Sequence, residues 1–127
     1  MTKKKRAKSI RLEEAFDGLT ENATPTEYVL ALLDANGDTR TQIREIDFFA
    51  YFPTPSRRAQ YIDKALVAGL KLRNTSEPYK PGAGYGAVLF CNDAPEEEAM
   101  KKICKLLTGL AEECGGEFDG WETQIVN

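Results

Sequence analysis

The sequence has no histidine among its 127 residues. This absence removes the commonest general base, every Ser-His-Asp or Cys-His nucleophile pair, and the commonest zinc ligand. No acid–base or nucleophile pair is recognisable among the residues that remain, so an enzymatic role is the least expected one. We predict no catalytic residue, no metal site and no cofactor.

Long hydrophobic runs are also missing. A bilayer-spanning helix needs about 20 consecutive apolar residues, and no stretch approaches that length. The N-terminal MTKKKRAK is basic like the start of a signal peptide, but the charged, amphipathic RLEEAFDGL follows it instead of an apolar segment. We therefore expect a cytoplasmic protein with no membrane partner.

Cysteine is scarce, and the absence of CxxC spacing among the 3 residues argues against both a disulfide framework and a zinc site. Cys104 and Cys114 lie on one predicted helix about 15 Å apart, which is too far for a disulfide bond. The neighbouring Glu112 and Glu113 raise rather than lower a thiol pKa. Free thiols are expected at these two positions and at Cys91.

Charge is distributed unevenly along the chain. Residues 1–11 carry six basic side chains and no acid, whereas residues 12–127 carry 11 basic and 20 acidic side chains. The length and composition fit one globular domain. We predict a basic, flexible tail over residues 1–23, which includes Lys3, Lys4, Lys5 and Arg6, and an acidic domain over 24–127. The tail attracts a nucleic-acid backbone and the domain repels it.

Three segments predict helices. Thr24-Pro25 and Thr54-Pro55 each combine a capping threonine with a proline suited to the first turn. The second of these helices is expected to bury the apolar stripe Ala59, Ile62, Leu66, Gly69 and Leu70. A third helix starts at the Asn92-Asp93 cap and buries Met100, Ile103, Leu107, Leu110, Ala111 and Cys114.

Four segments predict strands: 43–52, 71–78, 85–91 and 117–126. In the last of them, Asp119-Gly120 predicts a bulge that re-aims Trp121. After the first helix the order is β-α-β-β-α-β, which predicts an α+β, ferredoxin-like sandwich with an extra N-terminal helix. Right-handed crossovers place 43–52 and 85–91 at the centre of the sheet and the other two strands at its edges. The extra helix is expected to cover a sheet edge or the face that the other helices leave open.

Three motifs resemble ligand-binding sites, but their residues are not arranged as such sites require. The glycines at 82, 84 and 86 precede a strand instead of opening a helix, so they indicate a hairpin turn rather than a phosphate loop. Asp34, Asn36 and Asp38 resemble part of a calcium loop, but the glycine stands at its fourth position instead of its sixth. The consecutive residues Glu96, Glu97 and Glu98 diverge by about 100° each on a helix and fit the helix dipole better than a metal ion.

Phe49 and Tyr51 leave two interpretations open. Ferredoxin-like sheets that bind RNA stack bases on exposed aromatic side chains of the central strands, and these two residues fit that arrangement. They are core residues instead if Tyr28, Val29 and Leu32 of the first helix dock on the same face.

Three segments, IDFFAYFPTPSRRAQYIDKALVAGLKL, AVLFCNDAPEEE and LAEECGGEFDGWETQI, resemble the regulator of ribonuclease activity B (RraB) family. The resemblance covers about residues 25–126, and its most specific part is the run from Phe118 to Trp121. It implies a ferredoxin-like fold. It also implies a non-catalytic cytoplasmic protein that binds the endoribonuclease RNase E and inhibits RNA cleavage.

The leading hypothesis is therefore a protein-interaction module that regulates an RNase E-type nuclease. Its partner is expected to recognise the acidic body, at Glu96, Glu97, Glu98, Glu112 and Glu113. A second hypothesis is a small RNA-binding module that uses Phe49, Tyr51 and the basic tail. A third is an immunity-type blocker whose acidic surface masks the basic active site of another enzyme.

Overall fold

The computed structural model describes residues 4–7 and 24–127. In chain order the elements are β1 (Lys4–Ala7), α1 (Pro25–Ala35), β2 (Arg44–Phe52), α2 (Pro55–Val67), β3 (Lys71–Ser76), β4 (Tyr85–Asp93), α3 (Glu97–Glu113) and β5 (Glu117–Val126). From β2 onward the order is β-α-β-β-α-β, so the predicted α+β, ferredoxin-like fold with an extra N-terminal helix is confirmed. Within the described residues, no helix combines the length and the apolar content that a membrane crossing requires.

The strands form one antiparallel sheet in the order β1-β5-β2-β4-β3. β2 and β4 occupy the centre and β3 forms one edge, as the crossover rule predicts. The prediction that 117–126 forms the other edge is wrong, because β1 pairs with β5 from Lys4↔Val126 to Ala7↔Thr123. Of the predicted tail over 1–23, the structure describes these strand residues alone, so the domain boundary at residue 24 stays a prediction.

Alternation along β2 separates the two faces of the sheet, because successive side chains of a strand point to opposite sides. One face carries the helices and buries Ile46, Phe48, Ala50 and Phe52 in the core. We call the opposite side, which carries Phe49 and Tyr51, the open face.

The predicted bulge lies in β5. Gly120 stands opposite Phe49 and Phe118 opposite Ala50, so Asp119 is the extra residue. Gly120 has φ 114°, a left-handed backbone that favours glycine. The bulge lets Trp121 pair with Phe48 and point into the helix-bearing face, where it is fully buried.

α1 extends the helical layer and does not cover the open face. The indole N–H of Trp121 donates to the Thr26 hydroxyl oxygen at 3.2 Å. The Thr26 hydroxyl in turn donates to Sγ of Cys104 on α3 at 3.4 Å. Val29 and Leu33 of α1 are fully buried in the same core as Trp121. The extra helix therefore lies beside α3 and over β5.

The N-termini of α1 and α2 have the threonine caps that were predicted. The hydroxyl of Thr24 accepts a hydrogen bond from the backbone N–H of Glu27 at 3.2 Å. The hydroxyl of Thr54 accepts one from the backbone N–H of Arg57 at 3.1 Å. Each cap satisfies a backbone donor that the first helical turn would otherwise leave unpaired.

The predicted apolar stripe of α2 is correct only in part, because Leu70 is buried in the core and Ile62 packs against it. Tyr61 and Ala65 are the residues that α2 buries, whereas Ala59 is exposed and the Leu66 side chain is 44% exposed. The Tyr61 ring packs against the Phe52 ring with 4.7 Å between the centroids. This aromatic contact turns the helix by roughly one residue, or about 100°, from the predicted orientation.

The predicted start of α3 is wrong by several residues. β4 continues through Asp93, whose carboxylate accepts a hydrogen bond from the backbone N–H of Ala94 at 2.8 Å. The N-cap residue is Glu96, and its side chain makes no capping hydrogen bond. The predicted stripe of α3 is confirmed, because Met100, Leu107, Ala111 and Cys114 are buried in the core, and Ile103 and Leu110 pack against it.

Candidate interaction surface

The first group of predicted partner-binding acids lies at the start of α3. Glu96, Glu97 and Glu98 are all exposed there, at the positive end of the helix dipole. The carboxylate of Glu97 is 3.8 Å from the ammonium of Lys101, one helical turn further along. These acids are exposed to a partner. Their interaction with the helix dipole also explains their position without any partner.

The second group, Glu112 and Glu113, lies at the opposite end of the same helix. Because α3 has 17 residues, a length of about 25 Å separates the two groups, and the structure does not bring them together. The carboxylate of Glu113 is 3.4 Å from the ammonium of Lys64 on α2. A partner that contacts only a small area can therefore use one group or the other.

A large groove that the sequence does not predict lies at the turn after α3, the helix whose last two residues are Glu112 and Glu113. Its volume is about 980 Å³. Three separate segments form its walls: the end of β2 from Tyr51 to Pro53, the β3–β4 loop from Pro78 to Tyr85, and the α3–β5 turn from Gly115 to Glu117. We call this cleft the loop groove.

Aromatic and proline side chains dominate the loop groove. Tyr79, at the centre of the β3–β4 loop, is 84% exposed, so the fold itself makes little use of this ring. The ammonium of Lys80 lies 5.4 Å from the centroid of the Tyr79 ring, and the guanidinium of Arg58 lies 5.6 Å from that of Tyr85. Two tyrosine rings in this region thus already contact cationic side chains.

The α3–β5 turn packs closely against β2 at one wall of the loop groove. A Cβ atom added to Gly116 would stand 2.2 Å from Cδ1 of Phe52 and 2.5 Å from the carbonyl oxygen of Tyr51. Glycine is therefore required for the turn to lie directly against β2. The turn brings Glu117 to the wall of the groove, two residues after Gly115.

The two aromatic residues proposed for RNA binding do lie together on the open face. Phe49 is half-buried and Tyr51 is 41% exposed, and neither belongs to the main core. The interpretation of this pair as core beneath α1 is therefore wrong, because α1 packs on the other face. Asp47 lies on the same face and pairs with Arg73, with 2.7 Å between Oδ1 and Nε. Glu117 stands opposite Tyr51.

The basic residues of the same hypothesis are only partly described. Lys4, Lys5 and Arg6 belong to β1, where their backbone pairs with β5. Lys3 lies outside the described residues.

The three cysteines are free thiols, as predicted. Burial raises the pKa of the Cys91 thiol to about 11, and the charges of Asp93 and Cys104 act in the same direction. Burial also raises the pKa of Cys104, against the lowering effect of the hydrogen bond from Thr26. Both thiols stay protonated at neutral pH, which makes them poor nucleophiles.

The acids of the calcium-like motif have structural partners instead. Asp38 forms a buried ion pair with Arg44, and the Asp34 carboxylate is 2.9 Å from Nε of Arg40. In the part of the chain that the structure describes, no three acidic or cysteine side chains form a group that could hold a metal ion.

The family model described as RraB, regulator of ribonuclease activity B, matches residues 24–123, from the cap of α1 almost to the end of β5. A comparison with individual curated proteins gives no match.

Proposed function

The chain belongs to the regulator of ribonuclease activity B family, and we propose that it binds an RNase E-type endoribonuclease and inhibits its cleavage of RNA. The family match supports this proposal most directly, because it spans α1 to β5 and includes every residue of the described core except Ile125. Non-catalytic action and a cytoplasmic location are parts of the same proposal.

We propose that the nuclease binds at the loop groove and at the end of α3, where Glu112 and Glu113 stand. Tyrosine is enriched among the residues that contribute most to protein–protein affinity, and Tyr79 presents almost its whole ring to solvent. Glu117 lines the groove, and Glu113 lies two residues before the turn that closes it. Aromatic walls with an acidic margin suit an extended segment that carries arginine or lysine between apolar residues.

A binding site of this kind regulates without chemistry. The nuclease keeps its own catalytic groups, and the bound chain limits the access of RNA to them or the conformational changes they need. The acids at Glu96, Glu97 and Glu98 stand at the far end of α3 and form a separate candidate surface. The experiment below distinguishes the two surfaces.

The direct test is a cleavage assay with a purified RNase E-type endoribonuclease and a short fluorogenic single-stranded RNA. We expect the initial rate to fall as the full chain is added, at chain concentrations that saturate the nuclease and not the RNA. A rate that stays constant at a large molar excess of chain contradicts the proposal, and the immunity-type hypothesis, with a different target enzyme, then gains support.

The role of the loop groove is tested with Tyr79→Ala, which removes an exposed ring of its wall without disturbing the core. Loss of one well-placed aromatic contact is expected to weaken binding about tenfold, or ~1.4 kcal/mol. Val67→Ala is the matched control, because Val67 is 90% exposed at the far end of α2. Biolayer interferometry with immobilised nuclease measures both variants.

Charge reversal separates the two acidic groups. Glu112→Lys with Glu113→Lys is expected to weaken binding, whereas Glu96→Lys, Glu97→Lys and Glu98→Lys together are expected to leave it unchanged. The opposite result transfers the nuclease-binding site to the start of α3.

An RNA-binding role remains the second candidate because Tyr51 is exposed and α1 leaves the open face uncovered. It predicts affinity for single-stranded RNA that falls steeply with salt. The acidic excess of residues 12–127, which carry 20 acidic and 11 basic side chains, opposes a phosphate backbone, so we expect weaker RNA binding than nuclease binding.

A further inference from the structure

Another cavity lies where the start of α1, the middle of α3 and the first half of β5 meet. Its volume is about 510 Å³. Small-molecule sites in proteins typically have volumes of about 300–1,000 Å³, so this cavity has a suitable size. It is smaller and more enclosed than the loop groove, and its lining is mainly apolar. We call it the α1–α3 pocket.

The walls of the α1–α3 pocket come from two helices and a strand. Thr26 of α1 and Cys104 of α3 both line it, and the hydrogen bond from the Thr26 hydroxyl to Sγ of Cys104, at 3.4 Å, joins these two walls. Phe118 of β5 adds a half-buried aromatic ring that packs against the core. Because regular elements hold its walls in place, the pocket is formed before any ligand enters, which lowers the entropy cost of binding.

The charged side chains that line the pocket are two cations and one acid. Lys101 and Lys105 stand one helical turn apart on α3, and Glu27 belongs to α1. Together they leave one net positive charge. An apolar cavity with a single net positive charge is complementary to a monoanion that has an apolar body.

Lys105 has no acidic neighbour on its own helix. The charged residues within four positions of it are Lys101 and Lys102, and like charges at this spacing repel each other. Glu97 lies 3.8 Å from Lys101 but about 12 Å along the helix from Lys105. Glu27 lines the same pocket, yet Lys105 forms no ion pair with any residue that the structure describes. The described part of the chain therefore does not neutralise the Lys105 ammonium.

We propose that the α1–α3 pocket binds a small amphipathic carboxylate, a molecule with an apolar body and one carboxylate head. The body contacts the Phe118 ring and the apolar lining, and the head lies between the ammonium groups of Lys101 and Lys105. A carboxylate in this position relieves the repulsion between the two lysines and forms charge-assisted hydrogen bonds with them. The proposal is independent of whether the chain regulates a nuclease.

Isothermal titration calorimetry of the full chain with decanoate, below its micelle concentration, tests the proposal. We expect saturable binding of one decanoate per chain with a dissociation constant in the micromolar range. Decanol has the same apolar chain without the charge, so it is the matched ligand and should bind at least about tenfold more weakly. Absence of saturable decanoate binding, or equal binding of decanol, overturns the proposal.

Trp121 reports whether the ligand enters this pocket. It is the single tryptophan of the sequence, and its indole N–H donates to the hydroxyl of Thr26, which lines the pocket. We expect decanoate to change the Trp121 emission with the same midpoint as the heat signal. A heat signal without any change in this emission places the ligand elsewhere and overturns the assignment.

Neutralisation of single lysines tests the role of the charge. Lys105→Met removes the ammonium group and keeps an unbranched apolar side chain, so we expect the decanoate dissociation constant to rise about tenfold and that of decanol to stay nearly unchanged. Lys102→Met is the matched control, because Lys102 is an exposed lysine of the same helix that is not among the described residues lining the pocket. This control should leave decanoate binding unchanged.

Equal effects of Lys105→Met and Lys102→Met would show a general attraction to the helix and overturn the assigned site. Circular dichroism and urea unfolding of each variant exclude loss of the fold as the cause. Decanoate binding is measured on the chain alone, so failure of this proposal and failure of the proposed function are distinguishable.

Discussion

Asp38 holds the α1–β2 connection to the last strand. Its carboxylate accepts hydrogen bonds from the backbone N–H of Arg40 at 2.8 Å and of Val126 at 2.9 Å, and it pairs with the guanidinium of Arg44. Burial alone raises the pKa of Asp38, but the hydrogen bonds from Arg44, Val126 and Arg40 outweigh it, so the pKa lies below its ordinary value of 3.8. The ionised form is therefore the one that the fold stabilises.

This depressed pKa predicts acid sensitivity with a definite sign. A carboxyl with a lower pKa in the folded state contributes stability above pH 3.8, and this contribution is lost as the pH falls through the folded-state pKa. Asp38→Asn is expected to cost about 3 kcal/mol at pH 7, because it leaves Arg44 buried without its counter-charge. Urea unfolding from pH 7 to pH 2 should show the difference shrinking below about pH 4. A difference that is constant over this range contradicts the account.

At Tyr61, in contrast, we expect that removing a polar group does not destabilise the protein. Its ring is fully buried against Phe52, and its hydroxyl has no hydrogen-bond partner among the described residues. Tyr61→Phe removes this unsatisfied group and keeps the packing, so we expect unchanged stability or a gain of about 1 kcal/mol. Tyr61→Ala, which removes the ring as well, should cost about 3–5 kcal/mol. Chemical denaturation measures both, and a loss above about 1 kcal/mol for Tyr61→Phe would show that the hydroxyl is paired.

Substitution by alanine is expected to have opposite effects on stability at two glycines, one in the β5 bulge and one inside α3. Gly120→Ala puts a side chain at φ 114° and is expected to cost about 1–3 kcal/mol. Gly109→Ala is the control, because Gly109 lies inside α3 and an added Cβ there meets nothing within 4 Å. This substitution should stabilise the protein by about 0.5–1 kcal/mol, since alanine is the better helix former. Thermal unfolding of the two variants should therefore move in opposite directions.

Periodicity predicts strands and caps better than it predicts the orientation of a helix. Side chains alternate along a strand, so the residues of β2 can be divided between the two faces of the sheet in only two ways. The faces of Phe48 and Phe49 therefore follow directly from the sequence. In α2 the 3-4 spacing fits two adjacent stripes, and the partner of Tyr61 decides between them. That partner, Phe52, lies on another element.

The start of α3 is hard to predict from the sequence because Asn92 and Asp93 are both good N-cap residues. In the structure both residues belong to β4, where they pair with Glu45 and Arg44 of β2.

Assembly of the loop groove is a property of the whole molecule. Its walls come from residues near 51, 80 and 116, which only the completed sheet and the α3–β5 turn bring together. The sequence carries a weak signal in Tyr79, Pro78 and Pro81, a loop richer in aromatic and proline residues than a hairpin needs. Of the predicted acids, Glu112 and Glu113 end the helix that leads into this groove, and the other three stand at the opposite end of that helix.

The central claim is that the chain binds a nuclease rather than RNA. The most direct measurement is the equilibrium affinity of the full chain for a purified, RNA-free RNase E-type nuclease and, separately, for a single-stranded RNA, each at two salt concentrations. We predict submicromolar binding to the nuclease that Tyr79→Ala weakens about tenfold, and RNA binding at least tenfold weaker. Tight, steeply salt-dependent RNA binding without measurable affinity for the nuclease would contradict the account.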